Sequence, residues 1–192
     1  QAHHCVVALP APLVAPIVKD MPSWKADALS KVDFSPITSA AFLLSKPSEY
    51  FLGEGVWRVP TVGGAIVSVT NPTFTFPREV KERTGQGLLR VYSVGRESEK
   101  LMKLSDGEAL EALAGELISV LPEVKGNIIT GSLKHWIHGG SPWRLGRLQL
   151  VPEIQAPTGN IHYCGDYTAG SGMDGAVHSA SRVLEELGGG PL

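Results

Sequence analysis

The richest chemistry in this 192-residue chain lies between Ile161 and Leu187. A short apolar run, Ile161-His-Tyr-Cys164, stops at Gly165-Asp166, and a loop of small residues leads into Gly172-Met-Asp-Gly-Ala-Val-His-Ser179. A carboxylate at a strand end can accept hydrogen bonds from the hydroxyls of a ribose or ribityl chain. A helix opening at Gly172 offers free backbone N–H groups and a positive dipole end to an anionic or hydrogen-bond-accepting ligand atom. Glycines there remove side chains that would block its approach. The competing reading makes Asp166 an Asx-turn residue and the glycines turn residues only.

Other constellations reach less far. Gly170-Ser-Gly172-Met-Asp-Gly175 spells GxGxxG, but a dinucleotide fingerprint needs a strand running straight into its first glycine and an acidic second strand ~20 residues on. Neither condition is met. Ser171 lacks the leading glycine of a nucleophile elbow, which disfavours a serine hydrolase. His135 and His138, three apart on a strand, point to opposite faces with no Cys, Asp or Glu beside them, which disfavours a metal. His3 and His4 read as strand-edge residues. Cys5 and Cys164 have no CxxC partner and make no disulfide scaffold.

The elements that must position these groups are short. The chain has 22 Gly and 14 Pro, about one and a half times the ordinary share. The opening run His4–Leu9 reads as a strand, and Ser23 as the cap of a helix over Trp24–Val32. Strands follow at Ile37–Leu44, Gly63–Val69 and Leu88–Val94, with an irregular stretch at Asn71–Gly87. Leu110, Leu113, Leu117, Ile118 and Leu121 lie three and four apart, so they predict a helix opened by a Ser105/Glu108 capping box and ended by Pro122. Ile128–Ile137 is strand-like and runs into the turn-rich His138–Trp143. The last helix, Gly172–Leu187, carries the stripe Met173, Ala176, Val177, Ala180, Val183, Leu184 and Leu187. Gly188-Gly-Gly190 and Pro191 stop it.

Composition closes off other classes. A net charge of −2 leaves no electrostatic footprint for nucleic acid. The charge runs Arg78–Arg83 and Arg96–Lys103 read as solvated faces. No run approaches the ~20 apolar residues of an integral membrane segment, and no leader pattern opens the chain. The expectation is a soluble intracellular protein.

The quoted motifs resemble a family. Asn160-Ile-His-Tyr-Cys-Gly-Asp-Tyr-Thr168 followed by Gly172–Ser179 is similar to the carboxyl-terminal FAD motif of the flavin amine oxidase superfamily, which includes protoporphyrinogen oxidases and phytoene-desaturase-like enzymes. The run Val6-Val-Ala-Leu-Pro10 looks like that family's last FAD-domain strand. Lys134–Pro142 resembles its Trp-containing strand and Pro-bearing loop. The resemblance implies that FAD is the cofactor and that Asp166 bonds its ribityl or pyrophosphate portion. It also implies that Gly172, Met173 and Asp174 face the flavin edge, where the helix dipole stabilises the reduced ring. Gly165 and Ala176 belong to the same cofactor motif, and Trp136 would be a wall of the substrate pocket. Three residues depart from the pattern: Cys164 stands for the usual Ala, Asp174 for Glu, and Ala180 for Gly. Lys46 and Lys134 are the candidates for a flavin-facing lysine.

The expected fold class is therefore α+β, a mixed-sheet substrate domain flanked by strand and strand–loop–helix elements of an incomplete FAD-binding domain. The expected boundaries are 1–20 and 155–192 for FAD-binding segments and 21–154 for the substrate-binding domain. The βαβ unit with GxGxxG that binds the ADP half is missing. The expected partners are thus a small-molecule substrate and an amino-terminal FAD-domain half: a separate subunit, another cleavage product, or sequence preceding Gln1. The expected reaction is hydride removal from a C–H bond of an amine, polyene or porphyrinogen-type molecule. A non-catalytic relative acting as a binding or scaffold subunit is the alternative.

Overall fold

A computed structural model of the chain describes residues 2–51, 58–72 and 85–189. In chain order its elements are β1 (Cys5–Val7), α1 (Ser23–Ser30), β2 (Ser35–Leu44), β3 (Arg58–Pro60), β4 (Ser68–Thr70), β5 (Gly87–Val94), α2 (Arg96–Leu101), α3 (Asp106–Val120), β6 (Ile128–Gly140), α4 (Arg147–Gln155), β7 (Ile161–Tyr163), α5 (Asp166–Ala169) and α6 (Gly172–Glu186). The class is α+β, with one parallel and one antiparallel arrangement. No helix among the described residues is long and apolar enough to cross a membrane.

Two compact units divide the chain, one formed by Gln1–Ser35 with His138–Leu192 and the other by Pro36–Ile137. The second unit is a five-stranded sheet in the order β3-β4-β5-β2-β6. Period-two alternation sends Thr38, Ala40, Phe42 and Leu44 of β2 and Leu89, Val91 and Ser93 of β5 inward. Ala109, Leu113 and Leu117 of α3 close over them, with Leu101 of α2. The predicted capping box is present: Glu108 N–H donates to Ser105 Oγ at 3.3 Å and Ser105 N–H to Glu108 Oε2 at 2.9 Å. Hydrogen bonding between Thr38 Oγ1 and His135 Nδ1, 2.8 Å apart, and the close approach of Gly131 to Phe42 set β6 antiparallel to β2.

The first unit joins residues from opposite ends of the chain. β1 pairs in parallel with β7, Cys5 opposite Ile161, Val6 opposite His162 and Val7 opposite Tyr163. Val7, Val14, Val18, Ala28, Leu29, Ile154, Tyr163 and Tyr167 form its core. Because Ala28 and Leu29 of α1 and Ile154 of α4 share that core, the compact units part at 35/36 and 137/138, where the sequence places boundaries at 20/21 and 154/155.

Several local expectations are corrected. Ser23 is the first residue of α1, whose cap position is Pro22 with no side-chain bond. In place of the expected strand Gly63–Val69 the strand is Ser68–Thr70, because Gly63 and Gly64 take positive φ and the Glu116 carboxylate captures the N–H groups of Ala65 and Ile66 at 2.9 and 2.8 Å. The charged residues of the Arg96–Lys103 run do face solvent, as expected, on a helix, α2, whose other side buries Ser98 and Leu101. β6 continues through His138 to Gly140. Helix α4 has no counterpart in the sequence reading, and Pro152 lies within it. Arg78–Arg83, most of Asn71–Gly87, Gly190 and Pro191 lie outside the described residues.

A buried lysine locks the first unit. Lys25 on α1 is fully inaccessible, and its ammonium donates to the carbonyls of Glu153, Ile154 and Ala156 at 3.0, 2.6 and 2.7 Å. Its Nζ also lies 3.8 Å from the centre of the Tyr163 ring, a cation–π contact. Three donors thus meet three carbonyls at the end of α4, where helices leave acceptors unpaired. Burial, helped by Arg182 and opposed by Glu186, lowers the Lys25 pKa from 10.5 to about 7. As pH rises between those values the unfolded chain keeps a proton that the folded one releases, so stability grows with pH across that window. The stability difference between the wild type and Lys25→Met is therefore expected to shift in favour of the wild type from pH 7 to 10, measured by denaturant unfolding; a pH-independent difference would refute this.

Candidate functional site

The strand–turn–helix at the carboxyl end is built by close backbone packing. After β7 the chain reverses at Gly165, at φ 145°, where a Cβ would stand 2.7 Å from the Tyr167 ring. Thr168 Oγ1 donates to the Gly165 carbonyl at 2.9 Å. Gly170 and Gly175 then touch so closely that a Cβ on Gly175 would fall 1.5 Å from the Gly170 oxygen. Gly165 N–H donates to Ser179 Oγ at 2.8 Å, and that hydroxyl donates to the Ala176 carbonyl at 2.7 Å. One serine thereby ties the strand end to the first turns of α6.

Helix α4 braces this turn from behind. Arg147, 5 % exposed, donates from Nη2 to the Tyr167 carbonyl at 2.9 Å, and Gln155 Nε2 donates to the Thr168 carbonyl at 2.9 Å. Burial lowers the Arg147 pKa, against the pull of Asp33 and Asp166. Tyr167 is buried and its phenol pKa is pushed up, chiefly by burial. The Cys164 thiol, half-buried just before the turn, is also pushed up by burial, with Arg182 and a Ser179 hydrogen bond opposing.

A cleft of about 380 Å³ opens at this junction. Its walls come from the end of β1 at Ala8, Leu9 and Pro10, from Phe34, from His138 and Gly139, and from Gly165, Asp166, Tyr167, Gly172, Met173 and Ala176. The predicted Gly165, Asp166, Gly172, Met173 and Ala176 are thus brought together. Asp174 is not in the wall: two residues beyond Gly172 on a helix, it turns away from a face shared by 172, 173 and 176. Trp136 belongs to the Pro36–Ile137 unit, 54 % exposed on β6. Lys46 pairs with Glu49 at 3.3 Å, and Lys134 lies 5.7 Å from the Trp136 ring centre.

The sequence reading missed Phe34, Tyr167 and the bracing Arg147. Phe34 carries no motif and is placed by its ring contacts with His138 and Tyr167 at 5.7 and 6.2 Å between centroids. The only signal for Leu9 and Pro10 is their place in the Val6–Pro10 run.

The donor set suits a cofactor with a hydroxylated chain, an anionic region and a flat apolar ring. Asp166 supplies an acceptor. Ser171 makes no side-chain cap at the start of α6, so first-turn N–H groups stay available. Leu9, Phe34, Met173 and Ala176 supply apolar wall, and nothing lies within 4 Å of where a Gly172 Cβ would stand.

The model of the family described as flavin containing amine oxidoreductase matches residues 1–187. Solved structures share the fold. A protein from Exiguobacterium sp. 255-15 assigned as a protoporphyrinogen oxidase has TM-score 0.67 at 15% identity, over 96% of this chain and 40% of its own. Putrescine oxidase bound to putrescine has TM-score 0.73 at 16% identity, over 96% and 42%, and a single-substitution form of putrescine oxidase has TM-score 0.76 at 16% identity, over 96% and 42%. This chain therefore spans about two fifths of the length of these structures. No curated protein matches it. The cofactor that this membership implies is FAD. From Gln1 to Leu187, through the strand, the acidic turn and the uncapped helix that frame the cleft, this chain belongs to the flavin containing amine oxidoreductase family.

Proposed function

We propose that this chain is the carboxyl-terminal part of an FAD-dependent oxidoreductase. The Gln1–Ser35 and His138–Leu192 unit would hold part of the cofactor, and the Pro36–Ile137 unit would meet a small-molecule substrate. The observation that carries the reading is the convergence on one cleft of the Asp166 carboxylate and the uncapped start of α6. FAD supplies acceptance of a hydride from a substrate C–H bond. Asp166 would accept a hydrogen bond from a cofactor hydroxyl, and charge assistance makes such a bond worth roughly 1.5–3 kcal/mol. The N–H groups of Gly172 and Met173 would face the cofactor's negative charge, a fixed dipole that need not reorganise during reaction. Leu9 and Phe34 would keep water from the ring.

Further polypeptide would complete this site. β1 and β7 form a two-stranded parallel sheet, although parallel strands ordinarily lie inside larger, covered sheets. On α6, Met173 is 87 % and Val177 59 % exposed, so part of the predicted apolar stripe lacks cover. Both features support docking of an amino-terminal FAD-domain half.

Asp166→Ala in the flavin-loaded protein is expected to weaken FAD affinity by about tenfold or more, read by flavin release on dilution; unchanged retention would overturn the assignment. Gly175→Ala is expected to cost about 3 kcal/mol of stability, since backbone rather than a movable side chain blocks the new methyl. Denaturant unfolding measures it, and a loss under 1 kcal/mol would contradict the packing described.

A further inference from the structure

The amino ends of β1 and β7 carry a side-chain cluster that the cofactor cleft does not use. Val6 lies opposite His162, and His4, two residues before Val6, projects to the same face of the strand pair. Helix α6 reaches that face: His162 Nδ1 meets Glu186 Oε2 at 2.9 Å, and Arg182 holds the other carboxylate oxygen. His162 is only 6 % exposed, whereas His4 is open to solvent. Between the two rings, His4 Nδ1 stands 3.2 Å from His162 Nε2.

The Glu186 contact orients the buried ring. A carboxylate only accepts, so His162 Nδ1 carries the proton, and in the neutral ring Nε2 presents its lone pair toward His4. A metal-ligating histidine is held in the same way, its other ring nitrogen donating to a carboxylate that fixes the tautomer and raises the ligand's basicity. Two imidazole nitrogens bound to one ion at ~2.0–2.1 Å, near the tetrahedral angle, stand roughly 3.3 Å apart. The separation of 3.2 Å between the rings already suits a shared ion.

From this arrangement we propose that His4 and His162 bind a divalent transition-metal ion of the Zn²⁺ or Cu²⁺ class, with Glu186 as the positioning residue behind His162. Imidazole suits these ions. Because Arg182 occupies its second oxygen, Glu186 acts through His162 and not as a direct ligand. No group of three or more His, Cys, Asp or Glu among the described residues makes a closed metal site, so water completes the coordination. Glu186 ends α6 and Gly172 begins it, roughly 21 Å apart along the axis, which puts the ion well away from the cofactor cleft. There it clips the segment before β1 to β7 and, through Glu186, to the last turn of α6.

The test uses the full protein that contains this chain, untagged and stripped of metal by chelation. It is titrated with zinc chloride by calorimetry and with copper(II) sulfate by electron paramagnetic resonance. Zn²⁺ is expected to bind at least about a hundredfold more tightly than Mg²⁺, and the Cu²⁺ spectrum to show hyperfine coupling from two imidazole nitrogens. His4→Gln, a substitution at an exposed side chain, should weaken Zn²⁺ at least about tenfold, as should His162→Gln, whereas His3→Gln leaves the affinity unchanged. Zn²⁺ should raise the Tm of the wild type and not that of His4→Gln. Glu186→Gln should weaken Zn²⁺ about tenfold while keeping the two-nitrogen copper spectrum, a pattern that a merely structural loss would not give. Zn²⁺ affinity untouched by His4→Gln, copper coupled to fewer than two imidazoles, or no preference over Mg²⁺ overturns the proposal and leaves the two rings as a plain hydrogen-bonded pair.

Discussion

A single ammonium group holds together a unit assembled from the two ends of the chain. Lys25 comes from the first helix, its three acceptors from residues 153, 154 and 156, and the ring beneath it from Tyr163. Such contacts close a loop of more than a hundred residues, whose entropic cost must be repaid before any long-range contact counts. A solvent-exposed ion pair would contribute little; a buried amine whose N–H groups meet three carbonyls costs desolvation of its charge, as its lowered pKa records, but fixes one arrangement, because no other satisfies those donors. The β1–β7 pairing, and with it the placement of Leu9 against the Gly165 turn, depends on those segments being held together.

Much of the fold is legible in local pattern. Helix α3 carries its cap, its stripe and its proline stop within one window, and β2 and β5 alternate over eight residues or more. Helix α4 carries none of these signals: Pro152 interrupts it, and its bonds run to Lys25, Tyr167 and Thr168, far away in sequence. Gly63–Val69 fails as a strand for a related reason, since a distant Glu116 supplies its hydrogen-bond partners. Propensity lost to tertiary contacts in both places.

The candidate site divides along the same line. Gly165, Asp166, Gly172, Met173 and Ala176 lie within one motif, so spacing alone brings them together. Asp174 belongs to that motif, but helical rotation carries it off the shared face. Phe34 and Arg147 act on the cleft from segments that show no local pattern, and only packing reveals them. Ser179 sits inside the recognised motif, yet its role as the tie between strand and helix is a matter of three-dimensional geometry.

Cys164 adds a redox consequence. It replaces the usual alanine one residue before the acidic turn, next to a cleft suited to an electron-transferring cofactor. Peroxide attacks the thiolate rather than the thiol, and burial raises this residue's pKa. Burial therefore keeps the sulfur at this position in its less reactive protonated form, where it behaves as a small apolar filler.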